Sequence, residues 1–290
     1  MQLGGAYCTM CKKSAEECQK LETIEAGFII ERSVESLKEL ALSLTDPDTG
    51  DVTKKRSDYA TRQGVCGQPI TEMDLTKNIP ICHSKIRSFE FCMELLTRQN
   101  SHKKWSTPSN SITFTKEEKT EAKLAREKIK QQMYQNLAIN IGNPGDMVTG
   151  SAFQLFSSDT ARRFICTLVD DDIRPDLNSI LLGLCAIVKV LNSQKRKVNV
   201  EKLRCLGQEV YQRLVITFPW AVISPSVHRI LAHSWEVIIL NEHYGLGDLS
   251  EEGLEALNKF IRSIRQGGSR KDSTLNNFTD TFHHLWDILQ

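Results

Sequence analysis

The chain has 290 residues, 40% of them hydrophobic and 25% charged, with 37 Lys and Arg against 36 Asp and Glu. That is enough chain to bury one large core or two smaller ones, and a net charge of +1 excludes a strongly basic or acidic protein whose balance alone would announce its partner. Nine cysteines at irregular spacing point to reduced thiols rather than a disulfide framework, no stretch reaches the roughly 20 apolar residues of a membrane span, and the N-terminus has no signal-peptide core, so a soluble cytosolic or nuclear protein is expected.

In chain order, the first signal is Cys8-x2-Cys11. Ser33 then caps a helix carrying Val34, Leu37, Leu40, Ala41 and Leu44. Lys54, Lys55, Arg56 and Arg62 form a basic cluster, and Ile86, Phe89, Met93 and Leu96 mark a second helix. Residues 100–114 read as a polar loop around Pro108. Thr115 and Glu118 form a capping box that opens a highly charged helix through Ala122, Ala125, Ile129 and Met133. Residues 142–151 concentrate glycine and proline and read as a second loop. Pro175 opens the most apolar helix (Ile180, Leu181, Leu184, Ile187, Val188, Leu191), and Asn199 caps another with Val200, Leu203, Leu206, Val210 and Leu214. No convincing alternating strand is present. The breaks divide the chain into an N-terminal part at 1–114 that carries the Cys-x2-Cys pair, a charged connector at 115–150, and a C-terminal helical part at 151–290.

Two thiols at Cys8 and Cys11 and two imidazoles at His228 and His233 supply the ligand number and type that close a tetrahedral zinc site. The alternative is that the cysteines are ordinary thiols and the histidines surface or core residues. Five residues apart on a helix is about 140° around the axis, so one histidine is expected at a helix end or in a distorted turn, and Ser224-Pro225 places a helix start close to His228.

Ser250 caps a last helix whose buried stripe is Leu254, Leu257, Phe260, Ile261 and Ile264. Glu255 falls almost opposite that stripe, with Lys259 and Arg262 on its own polar face. Two readings of Glu255 stand here: a solvated pair with Lys259, or a carboxylate ligand for a divalent ion with cations beside it for phosphates. A further basic cluster follows at Lys259, Arg262, Arg265, Arg270 and Lys271.

The runs KRSDYATRQGVCGQPIT (55–71), ICHSKIRSFEFCMELL (81–96), SSDTARRF (157–164), FPWAVISPSVHRILAH (218–233), LGDLSEEGLEALNKF (246–260) and SRK (269–271) resemble, in order, the C-terminal part of Transib-type DNA transposases. That family includes the large subunit of the V(D)J recombinase. The resemblance implies a mainly α fold: the zinc-tied helical insertion domain of an RNase H-like (DDE) transposase plus its C-terminal catalytic helix. It implies Cys8, Cys11, His228 and His233 as zinc ligands and Glu255 as the last of three catalytic carboxylates binding Mg2+ or Mn2+. Arg162 and Arg163 fall on basic residues that approach DNA, and Asn258, Lys259, Arg262, Arg265, Arg270 and Lys271 are expected to contact it too. The implied reaction nicks a strand with water and then uses the freed 3′ hydroxyl to attack a second phosphodiester, giving a hairpin or strand transfer at terminal inverted repeats. The implied setting is nuclear, in a homodimer with an accessory subunit and no membrane association.

Two departures qualify this. The family's other two catalytic aspartates precede the Cys-x2-Cys pair, and the sequence starts seven residues before Cys8, so they are expected to be absent and the chain inactive by itself. The stretch before the TARRF motif is also altered, to GSAFQLFSSD. A zinc-stabilised, non-catalytic module binding DNA or protein is the competing expectation.

Overall fold

A computed structural model of the protein describes residues 8, 10–14, 16–45, 79–101, 115–139, 157–194, 196–247 and 260–289. The chain is mainly helical, and an isolated β bridge joins Lys197 and Tyr244. Contacts divide it into two units, Met1–Asp248 and Leu249–Gln290. Asn100 and Ser101, the first two residues of the loop expected at 100–114, are helical, and the rest of that stretch lies outside the described residues, as do residues 142–151, the 54–62 basic cluster, the whole 55–71 motif, Glu255, Asn258 and Lys259.

In the first unit a single 3-10 turn, Glu17–Gln19, leads into α1 (Leu21–Ala26). There follow α2 (Val34–Ser43), α3 (Ile81–Ser101), α4 (Lys116–Leu137), α5 (Asp159–Cys166), α6 (Arg174–Leu191), α7 (Val200–Thr217) and α8 (Pro225–Leu240). The helix starts follow from capping chemistry. Thr115 and Glu118 exchange side-chain-to-backbone bonds of 2.8 and 3.2 Å at the head of α4, and Ser33 pairs with Ser36 in the same way at α2. Asn199 accepts from Lys202 N–H at 3.0 Å, and Ser224 accepts from Val227 N–H at 3.3 Å with Pro225 behind it, each satisfying an amide that the first turn leaves orphaned.

Helix α8 sits at the centre. It packs against α7, α3 and α6, while α5 covers α6 and α1 lies on α7. Its buried positions (Val227, Ile230, Leu231, Val237, Ile238) face in more than one direction, as a helix surrounded by others requires. The backbones of α7 and α8 approach closely. Gly207 lies so close to α8 that a Cβ built on it meets the Leu231 carbonyl oxygen at 2.4 Å. After α8 the chain reverses through Glu242 and His243, both in the left-handed region (φ 54° and 67°). The His243 carbonyl accepts from Val198 N–H at 2.8 Å and fastens the α6–α7 connection to this turn.

In the second unit a π turn at Ile264–Gly268 precedes α9 (Thr274–Leu289). The Arg270 guanidinium grips the Asp280 carboxylate with two bonds of 3.0 and 2.9 Å, holding the connection against α9.

Candidate metal centre

The Cys8–Cys11 segment is held by hydrogen bonds to the stretch that follows α1. Met10 C=O accepts from both Glu31 N–H (2.9 Å) and Arg32 N–H (3.0 Å), and Arg32 Nε donates to Cys11 C=O at 2.8 Å, so the knuckle bearing both thiols rests on the strand of chain after α1. On α8 the helix starts at Pro225, which puts His228 in its first turn and His233 little more than one turn later. The backbone needs no distortion. Two imidazole arms about 140° apart both reach a point between them where the knuckle sits, and their ring centroids are 5.2 Å apart.

Cys8, Cys11, His228 and His233 thus meet: one ligand atom from each lies within 4.8 Å of all the others. Cys11 Sγ is 3.4 Å from His228 Nε2, close to the roughly 3.5 Å edge of a tetrahedron with Zn–S near 2.3 Å and Zn–N near 2.0 Å. All four side chains are buried. His233 Nε2 is a buried nitrogen with no hydrogen-bond partner, an arrangement that natural proteins rarely leave uncompensated and that a bound cation resolves. The group can hold a metal ion such as zinc. Two thiolates would neutralise a divalent ion, which makes the whole centre compatible with burial.

The other ring nitrogens are engaged. His228 Nδ1 lies 2.8 Å from the Tyr211 hydroxyl on α7, and His233 Nδ1 lies 2.9 Å from Glu236 Oε2 on α8, which leaves both Nε2 atoms for the cluster. Phe28 closes one side, its ring edge-on to His228 at 4.8 Å and stacked on Tyr211 at 5.5 Å. Phe28 and Tyr211 also border a recess of about 190 Å³ that ends at Trp235 and Arg204.

The electrostatics favour negative charge at one sulfur. Burial acts to raise the Cys8 thiol, but the neighbouring Cys11 thiol and the imidazoles of His228 and His233 outweigh it and hold Cys8 well below the ordinary thiol range. Cys11 is pushed up, by its hydrogen bond to Cys8 and then by burial. Burial pushes His228 down; it acts the same way on His233, where the nearby Cys8 sulfur and the hydrogen bond to Glu236 prevail and raise it. Cys18, also nearby, is pushed up to about 12, chiefly by burial.

The other predicted site residues are placed differently. Arg162 turns inward: its Nε donates to Asn178 Oδ1 at 2.9 Å and it pairs with Asp159. Arg163 shares Asp159 through Nε at 2.8 Å but presents a side chain 79% exposed. Arg265 donates to Asn277 Oδ1 at 3.0 Å and covers Phe278, Arg270 is held by Asp280, and Arg262 and Lys271 are exposed. Tyr211, Glu236 and Phe28 were not anticipated. Only Glu236 carried a signal, since three residues after His233 it shares that helix face. No protein-family model matches the chain, and no curated protein sequence matches it.

Proposed function

We propose that this chain works as the zinc-tied helical part of a Transib-like DDE recombinase. In this reading the Cys8, Cys11, His228 and His233 centre holds zinc, Arg163 and the exposed cations of the second unit approach DNA phosphates, and Glu255 supplies one carboxylate to a Mg2+ or Mn2+ site acting at terminal inverted repeats. The nuclear location, the homodimer and the accessory subunit belong to the same proposal. The observation that supports it is the meeting of the four assigned ligands: two near one end of the chain and two on a helix 217 residues after Cys11 come together in one buried group. Such long-range convergence of the residues that the resemblance picks out is not a property of ordinary thiols and core histidines.

Two experiments test it. Titrating the zinc-loaded chain into labelled duplex DNA at several salt concentrations should give binding that weakens steeply with salt, and Arg163→Ala should reduce the log–log slope by about one. Binding that ignores salt or the substitution would remove the DNA role. Sequencing the gene 5′ to the Met1 codon tests the catalytic half. An in-frame extension carrying two aspartates in an RNase H-like context supports it, and an in-frame stop directly upstream overturns it in favour of a non-catalytic binding module.

A further inference from the structure

We infer that Glu236 is the positioning residue of the metal centre, a double acceptor that fixes which nitrogen His233 offers and ties that choice to the strap carrying the cysteine knuckle. The inference rests on the four-residue group being a zinc site and not on the DNA reading. Its two carboxylate oxygens have separate tasks. Oε2 takes the Nδ1 side of His233 at 2.9 Å, and Oε1 accepts from Ile30 N–H at 2.9 Å. Ile30 follows Phe28, whose ring lies against both imidazoles, and precedes Glu31 and Arg32, whose amides hold Met10 C=O between the two cysteines. One side chain, only 15% exposed, therefore touches a histidine ligand and the segment on which the thiol ligands rest.

The chemistry requires a carboxylate. Both neighbours are donors when His233 Nε2 is to bind metal, because the ring proton must then sit on Nδ1. A glutamine of the same shape offers one oxygen and one amide NH2. If its oxygen faces Ile30 N–H, its NH2 faces Nδ1, the proton moves to Nε2 and the ligand is lost. If its oxygen faces Nδ1–H, two N–H donors confront each other at Ile30. Neither orientation satisfies both partners.

The test compares wild-type chain and Glu236→Gln by competition for zinc with a chromogenic chelator, together with proton–nitrogen correlation NMR of labelled histidines and amide exchange at Ile30. Zinc affinity should fall about 10- to 100-fold in Glu236→Gln. The NMR should place the His233 proton on Nδ1 in the zinc-loaded wild type, and exchange at Ile30 should be faster in the variant. Equal zinc affinity, or a wild-type His233 bound through Nδ1, overturns the inference, and the wild-type measurement stands even if the variant does not fold. A wild-type chain that fails to retain zinc at all instead overturns the zinc reading beneath it.

Discussion

Replacing Gly207 by alanine should destabilise the protein, although in most helices the same change stabilises it. Gly207 lies within α7, where alanine is favoured by about 1 kcal/mol through helix propensity alone. Here the added methyl meets the Leu231 carbonyl oxygen at 2.4 Å, and ordinary contact begins at 3.4 Å. A backbone carbonyl cannot swing aside, so α7 and α8 must separate by about 1 Å in a close-packed interior, and overpacking of this kind costs about 1–3 kcal/mol with backbone clashes at or above the upper end. The net effect should be a loss of about 1–2 kcal/mol. Because His228 stands one turn before Leu231 and its Nδ1 partner Tyr211 one turn after Gly207, the same separation should disturb the metal centre and lower zinc affinity by about tenfold. Urea unfolding of the zinc-saturated proteins measures the first effect and chelator competition the second. Gly267→Ala, where a Cβ meets nothing within 4 Å, is the control and should be neutral or slightly stabilising. A Gly207→Ala protein as stable as wild type or more so would show that the two helices do not approach this closely.

Removing zinc should leave His233 Nε2 buried without a partner. An unpaired buried polar group costs about 1–3 kcal/mol, so a high-affinity chelator should lower the stability of the first unit by at least about 1 kcal/mol, and coincident thermal melts with and without chelator would refute the site. In the second unit, the Arg270 guanidinium holds the Asp280 carboxyl down at about 2. The folded value is below the ordinary carboxylate value near 3.9, so the stabilisation is present above that value and is lost as pH falls through about 2. In Arg270→Ala the NMR titration midpoint of Asp280 should return to the ordinary range, and a midpoint that stays low would show that Arg270 is not its cause.

Helix starts were legible because capping is local: Ser33, Thr115, Asn199 and Ser224 each announce a turn within four residues of themselves. The ligand set was legible by residue type, and its convergence was not. The 140° argument expected one histidine at a helix end or in a distorted turn, and the helix end is what is found: α8 starts at Pro225, so His228 stands in its first turn and its imidazole meets that of His233 without distortion. Helices α5 and α9 went unassigned. Eight residues of α5 give periodicity too little length, and α9 leaves Leu275, Phe278 and Phe282 exposed, so its stripe does not mark a core. Tyr211 sits beside Val210 and Leu214 and reads as one more core residue, and only the fold reveals that its hydroxyl is spent on His228.

The closed character of the metal centre bears on where any chemistry would occur. A zinc ion held by Cys8, Cys11, His228 and His233 has all four tetrahedral positions filled by protein, and the side chains around it are buried, so it has no open position for water or a phosphate oxygen. Thiolates at two of those positions also donate charge to the metal, which weakens it as a Lewis acid. A zinc ion in this centre is therefore structural. Since α8 touches α7, α6 and α3, the clamp joins the cysteine knuckle to the element on which the rest of the unit is assembled. In the proposed recombinase reading, phosphodiester chemistry then depends on a separate divalent site to which Glu255 contributes, and loss of zinc should act on DNA binding only through the fold. Arg163 on α5 is two packing contacts from α8, by way of α6, so stripping zinc should weaken Arg163-dependent DNA binding in step with the loss of helical structure and never ahead of it.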